Sequence, residues 1–589
     1  MKLLRLTTLL ALSLTLAACG GGKKPSESSS TPASEESVPT PVSEESIPVE
    51  ESSEPEESIP AEESVEESVE ESLPVEESSE EAPVSEEESI PAEESEEESV
   101  PTEESKEESV PAEESEPAEE SKEESVPAEE SSEDTPAPSG AVTVRFWHTF
   151  GDKVETALEK RVEKFEKLVK DNEGVDVNVE LSYQGAYTDM VNKVTLGFSG
   201  GDSPTIAVAY PDHVAEYLYL EDTPGKYVVN MNKYIESNTY GFGKEAYLGD
   251  GSASDFIEAF YQEGFEFSRE GMYLMPFMKS SEVMIYNLDA AKRAMKFYRP
   301  EVPDGKVKET IANMTWDELI ELGKAAVDNK AEVSNTLEYP IYYDSDSNLF
   351  ISKLLQNEIS YSGIDSNGKG YIGFENDPDL SEAKDFVQSL KDAHDYGVLT
   401  TKGTEGEYAS NAFQSGKCLF TIGSSGGAGY TFPAFGEFET AICAVPASND
   451  NPLYVSQGPS LTLLNRPELT KAENDLATLY GFKLLKYLTS TQVNVEMCIT
   501  GSQGYVPVRE SCYETEVYAE FSEEGELYAE TASVLLNDID GNYLTTKCFK
   551  GSAALRTNVG AIISSVLTNK ASIDQAFANA INTTKLEIK

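Results

Sequence analysis

Histidine and cysteine are scarce in this chain. The three histidines, His148, His213 and His394, are scattered through 589 residues, which excludes a histidine-rich metal site. The six cysteines show no C-x-x-C spacing, so neither a zinc site nor a dithiol redox motif is indicated. Setting Cys19 aside leaves Cys418, Cys443, Cys498, Cys512 and Cys548. An odd number cannot pair completely, so buried free thiols or one or two chance disulfides are the alternatives. Positive charge is also in deficit, with 44 Lys and Arg against 109 Asp and Glu and a net charge of -65. That balance disfavours nucleic acid as a partner, because such binding rests on neutralising phosphates. There is no nucleophile elbow, no cluster with metal-ligand spacing and no histidine dyad, so neither a catalytic residue, a metal nor a cofactor is assigned. The abundant carboxylates alone leave a paired Asp/Glu site open, as in a secreted glycosidase or phosphodiesterase.

Long apolar runs are missing as well. The run from Leu6 to about Leu16 follows the cations Lys2 and Arg5, the layout of a secretory signal peptide. It falls short of the roughly 20 residues a transmembrane helix needs. Leu16-Ala17-Ala18-Cys19-Gly20 then resembles the lipobox at which bacterial lipoproteins are cleaved and their cysteine lipidated. The resemblance implies residues 1–19 as a lipoprotein signal segment, lipidation at Cys19, and attachment to the extracellular face of the cell membrane through a lipid anchor. An ordinary signal peptide with a chance cysteine is the alternative.

What is present in excess is glutamate, serine and proline. From Lys23 to about Ser139 the chain is a loose repeat of the form E-E-S-V/I/L-P-x-E-E-S, with about 43 acidic and 4 basic residues, so roughly 39 of the 65 net negative charges sit there. So little apolar surface cannot offset the entropy of ordering, and like charges repel. Residues 20–139 are expected to be a disordered acidic tether with a contour of at most about 390 Å. A solvated spacer and a specific acidic interaction motif are the two readings of it.

From about residue 140 the composition becomes that of a folded domain. Val142–Trp147 reads as a strand, and Val154, Leu158, Val162, Phe165 and Leu168 recur at helical spacing. A strand over Val175–Leu181, a helix over Tyr187–Phe198 and the apolar run Thr205–Tyr210 follow. Strand, helix, strand, helix, strand within seventy residues predicts βαβ units and an α/β fold. Thr315 with Glu318 three residues on is a capping box that predicts a helix through Ala326. Helices are also expected over about Glu473–Leu488 and through much of Ala553–Leu586.

Certain landmarks recur in a fixed order: Phe146-Trp147-His148, Tyr183-Gln184-Gly185-Ala186-Tyr187, Ser203-Pro204-Thr205-Ile206, Tyr273-Leu274-Met275-Pro276-Phe277, Phe413-Gln414-Ser415-Gly416-Lys417-Cys418, Ser424-Ser425-Gly426 and Gly504-Tyr505-Val506-Pro507-Val508. Each is weak alone; the ordered series resembles the extracellular solute-binding proteins of family 1, which deliver sugars and related solutes to ABC importers. The resemblance runs from about residue 142 to the end. It implies a two-lobed, periplasmic-binding-protein-like (Venus flytrap) fold with lobe 1 from 140–278 and 426–459, and lobe 2 from 279–425 and 460–589. Crossings between lobes are expected near Met278, Ser425 and Pro459. It implies a monomer that takes a small-molecule solute, an oligosaccharide, sugar or glycerol phosphate, and meets the subunits of an ABC permease.

Within the family, the branch that binds glycerol 3-phosphate is the nearest in its motifs. Carried over residue by residue, its ligand positions fall on Tyr187, Ser280, Ser424, Gly458, Tyr505 and Arg556. A glutamate of that branch has no clean match, and Asp212 in Tyr210-Pro211-Asp212 is the candidate in its place. Trp147, at a strand end, joins the set as an aromatic platform. Serine hydroxyls, a glycine N–H and an arginine fork suit a phosphate or a polyol, and aromatic rings suit the apolar face of a sugar. Against these readings stand core packing for Trp147, a turn for Tyr505, a plain loop for Ser424–Gly429 and an interlobe salt bridge for Arg556. A ligand-sensing accessory built on the same module is the remaining alternative in function.

Overall fold

The computed structural model describes residues 140–588, apart from 434–436, 449–451, 503, 525 and 538–541. Cys19 and the tether of residues 20–139 lie outside the described residues. The first strand, Val142–His148, pairs in parallel with Val177–Tyr183 on one side and Ile206–Ala209 on the other. Two helices, Asp152–Glu173 and Tyr187–Gly200, make the connections. The predicted βαβ order is therefore observed. Of the stripe its periodicity marked, the first helix buries Leu158, Val162 and Phe165 and leaves Val154 and Leu168 half-buried, with Val169 buried in addition; it stops at Gly174, whose φ of 71° is the left-handed conformation that ends helices. The capping box at Thr315 also forms, opening a helix over Trp316–Asp328.

Two mixed sheets organise the body. Across the first, the strands run Val177–Tyr183, Val142–His148, Ile206–Ala209, Ser460–Leu463 and Met275–Pro276. Across the second they run Thr440–Ala444, Glu282–Asn287, Phe420–Ser424, Ile341–Tyr343 and Leu399–Thr401. Each sheet has its own apolar core: Val144, Phe146, Phe165, Leu463 and Phe482 under the first, and Met284, Tyr286, Ile341, Phe350, Ile422 and Leu555 under the second. The fold is thus the two-lobed α/β fold that the motif series implied.

The partition of the chain differs from the expected one in its second half. Residues 426–459, expected in the first lobe, supply Thr440–Ala444 to the second sheet, antiparallel to Glu282–Asn287. Residues 460–589, expected in the second lobe, supply Ser460–Leu463 to the first sheet and the helix Lys471–Leu488 to its core. The terminal helices Ser552–Leu567 and Ile573–Glu587 do pack on the second core, and Leu527 and Val534 of the helix Leu527–Asn537 pack with Val283, Ile285 and Ile442 of the second sheet. A short fully buried strand carries the same apolar pattern in either sheet, so its pairing is fixed by long-range contact rather than local sequence. The chain passes between sheets at 277–281 and at 445–459, with a further passage at 543–548 ahead of the terminal helices. Ser425 is not such a passage: it follows the strand Phe420–Ser424 within the second lobe.

All five described cysteines are buried as thiols, with no disulfide among them. Burial pushes the thiols up, those of Cys443 and Cys512 to about 12, which makes them inert packing groups at neutral pH. No helix among the described residues is long and apolar enough to cross a membrane.

Candidate functional site

Parallel strands of α/β sheets deliver functional residues at their carboxyl ends, and both sheets do so into one space between them. It is a cavity of about 810 Å3. From the first sheet, Thr149 follows Val142–His148, Tyr187 follows the second strand, and Tyr210, Pro211 and Asp212 follow Ile206–Ala209. From the second, Asp344 and Ser345 follow Ile341–Tyr343, Lys402 follows Leu399–Thr401, and Ser424 with Gly426 ends Phe420–Ser424. Two helices complete the wall, with Asn348 on Asp346–Gln356 and Arg556 on Ser552–Leu567.

Aromatic groups line both sides. Tyr187 stacks on Tyr210 with ring centroids 4.2 Å apart and planes 26° from parallel. Burial pushes the Tyr210 phenol up to about 12, opposed by the positive charge of Arg556. Tyr505 approaches from the first lobe against Gly426, where a β-carbon would lie 2.6 Å from its ring. A glycine is required at that contact. On the opposite rim Tyr408 and Tyr430 are 57% and 78% exposed, and the Lys402 ammonium lies 3.5 Å from the Tyr408 ring centroid.

Below this lining is a polar network. The Arg556 guanidinium donates from Nη2 to Asn348 Oδ1. Asn348 Nδ2 donates to Glu282 Oε1 at 3.1 Å, and the Tyr343 hydroxyl donates to Glu282 Oε2. Burial pushes the Glu282 carboxyl up to about 7 against the pull of those hydrogen bonds and of Arg556. Asp344 is pushed up to about 6 by burial while accepting from the Ala409 N–H at 2.8 Å. Four carboxylates, Asp212, Glu263, Glu282 and Asp344, thus face the cavity alongside two cations, Lys402 and Arg556.

Of the eight residues proposed from the sequence, Tyr187, Asp212, Ser424, Tyr505 and Arg556 line this cavity and Trp147, Ser280 and Gly458 do not. Trp147 is 9% exposed and packs with Met190, Val194, Phe198 and Ala207. Successive strand residues face opposite sides, so with Phe146 in the main core Trp147 is turned to this separate cluster. Ser280 is buried in the 277–281 passage, behind the lining residues Gln457, with which it exchanges backbone hydrogen bonds, and Ser424, whose Oγ is 3.2 Å from its own. Gly458 has φ 92°, and a β-carbon there would lie 2.3 Å from the Met278 carbonyl oxygen. It shapes the passage and not the wall. The sequence reading missed Tyr210, Glu282, Asp344, Asn348, Lys402 and Tyr408. Tyr210 and Asp344 each follow a strand directly, a position that could have marked them; Asn348 and Glu282 meet only through folding.

A family model described as bacterial extracellular solute-binding protein matches residues 160–524. Among curated proteins nothing matches the chain by sequence. Solved structures share the fold. The GacH receptor of Streptomyces glaucescens GLA.O, solved unliganded and with acarbose, is 18% identical with a TM-score of 0.55, the match covering 76% of this chain and 98% of that one. UgpB from Mycobacterium tuberculosis in complex with glycerophosphocholine is 15% identical, with a TM-score of 0.55 and coverage of 76% and 98%. An ABC substrate-binding protein from Listeria monocytogenes in complex with cycloalternan gives 15%, 0.55, 76% and 98%.

Proposed function

The chain belongs to the bacterial extracellular solute-binding proteins, and from that membership we propose that its cleft captures a neutral oligosaccharide for delivery to an ABC permease. The observation that carries this reading is the lining of the cavity: tyrosines on both walls over a bed of carboxylates that outnumber the cations. Sugar rings offer apolar faces to aromatic side chains and hydroxyls to carboxylates and amides. A volume of about 810 Å3 lies within the range of small-molecule sites and suits several linked rings better than a single small polyol.

A phosphate ester is the competing solute. Arg556, the Ser424 hydroxyl and the glycines after it are suited to an oxyanion, and one solved relative holds glycerophosphocholine. Charge weighs against it. A phosphate dianion would share the cavity with Asp212 and Asp344, and Arg556 already donates to Asn348. The acarbose and cycloalternan bound by two other relatives favour the carbohydrate reading.

On this proposal no bond of the solute is broken. Binding draws the two lobes together, shifting the population toward a closed form that the permease recognises. Cys19 carries the lipid, and residues 20–139 hold a monomeric binding body near its permease at high effective concentration. The direct test incubates the full chain with maltotriose, recovers the sugar and follows thermal unfolding. Intact sugar and a raised unfolding temperature are expected, since ligand at a hundred times Kd stabilises by about 2.7 kcal/mol. Cleaved sugar would end the transport reading in favour of a glycosidase.

A further inference from the structure

Behind the cavity wall lies a buried ion pair that the solute site does not account for. Lys279 Nζ is 2.6 Å from Glu263 Oε2, and both side chains are almost fully buried. Glu263, from the short turn Gln262–Phe265 in the first lobe, also lines the cavity. Its carboxylate has further partners: Ser456 Oγ donates to Oε1 at 2.7 Å and Ser460 Oγ to Oε2 at 3.1 Å. Lys279 belongs to the 277–281 passage between the sheets, Ser456 and Ser460 to the end of the 445–459 passage and the strand it enters. The two passages also exchange backbone hydrogen bonds, Ser280 N–H to the Gln457 carbonyl at 3.1 Å and Gln457 N–H to the Ser280 carbonyl at 3.0 Å. Tyr543, in the remaining passage, donates from its hydroxyl to the Ser280 carbonyl at 3.0 Å.

Burying an ion pair is a poor route to stability, because apolar residues of similar volume do as well or better. What a carboxylate with three fixed partners supplies is a defined geometry. Burial pulls the Lys279 ammonium down and Glu263 holds it up, so Lys279 is not indifferent to the loss of Glu263.

We propose that Glu263 is a positioning residue for the solute site: its one carboxylate, at the edge of the cavity, locks the 277–281 and 455–460 segments together and so sets the separation of the two lobes. The functional meaning rests on the reading that this cavity receives the solute. The mechanical claim does not, since every contact it uses lies within the protein.

Hydrogen exchange on the solute-free, full-length protein tests the claim, because exchange reports local opening residue by residue. Ser456→Ala removes one partner of Glu263, together with the Ser456–Tyr543 hydroxyl contact of 2.9 Å, with no change of charge. The Ser280 and Gln457 amides are expected to exchange at least tenfold faster in this variant, with the amides of Val142–His148 and Glu282–Asn287 unchanged. Glu263→Gln is expected to give the same local pattern with a larger factor. Rates at Ser280 and Gln457 within twofold of wild type in both variants would overturn the proposal, as would acceleration spread evenly over both sheets, the mark of a purely global loss of stability. Maltotriose titration of the same samples is a separate readout: failure of that sugar to bind wild type would count against the carbohydrate reading and leave the exchange result to decide this one.

Discussion

Arg556 and Asn348, on two different helices of the second lobe, are joined by a hydrogen bond from the guanidinium to the amide oxygen, and the same amide donates to Glu282. The guanidinium therefore reaches the cavity already oriented, with a buried carboxylate behind it. Preorganised donors add affinity because less ordering remains to be done on binding. Arg556→Ala is expected to weaken solute binding at least tenfold, or about 1.4 kcal/mol. Asn348→Ala, which leaves the charge but frees its orientation, should fall between that variant and wild type. Calorimetric titration of the three proteins checks the order; an Asn348→Ala loss equal to or exceeding that of Arg556→Ala would contradict it.

The buried Glu282 makes stability depend on pH. Its carboxyl is raised from 4.5 to about 7 in the folded protein, so between those values the folded state binds more protons than the unfolded state. Stability then falls as pH rises from about 4.5 to about 7 and levels off above it, a loss of about 3 kcal/mol at most. His148, pulled down to about 4 by burial, acts in the opposite sense. Comparison with Glu282→Gln isolates the carboxyl. In urea denaturation at pH 5 and pH 8, wild type should lose more stability than Glu282→Gln between the two, and equal losses would refute the assignment.

Trp147 is expected to matter for folding and not for binding. Trp147→Ala empties a packed site among Met190, Val194 and Phe198, which should cost about 3–5 kcal/mol. Solute affinity of the folded fraction should stay within twofold. A tenfold loss of affinity at unchanged stability would return Trp147 to the binding site.

Gly458→Ala meets two obstacles together, a φ of 92° and the Met278 carbonyl oxygen 2.3 Å from the new β-carbon. Backbone strain of this kind costs about 1–3 kcal/mol. Thermal unfolding of the variant should show that loss, whereas an unchanged midpoint would mean that the passage relaxes freely.

Local signals in the sequence are legible where the structure is local. The helical spacing from Val154 to Leu168, the capping box at Thr315 and the run Thr205–Tyr210 all lie in elements of the predicted type. Sheet membership was less legible: Thr440–Ala444 and Ser460–Leu463 are both short apolar segments, and nothing within five residues says which sheet they join. The site divides in the same way. Tyr187, Ser424 and Tyr505 stand in the ordered motifs, Arg556 comes from the carry-over of the family's ligand positions and Asp212 from a position with no clean match, and all five face one cavity. Trp147 was misplaced because a strand end leaves the facing side undecided. Asn348 and Glu282 are 66 residues apart in the chain, and only folding brings them together.

The central claim is that a neutral oligosaccharide fills the cavity in preference to a phosphate ester. Titration of the full-length protein with maltotriose and with glycerol 3-phosphate, in parallel calorimetric runs with wild type and Tyr187→Ala, tests it most directly. The account predicts saturable binding of maltotriose, weakened at least tenfold in Tyr187→Ala, and no heat from glycerol 3-phosphate at the same concentration. Saturable binding of glycerol 3-phosphate with none of maltotriose would contradict it.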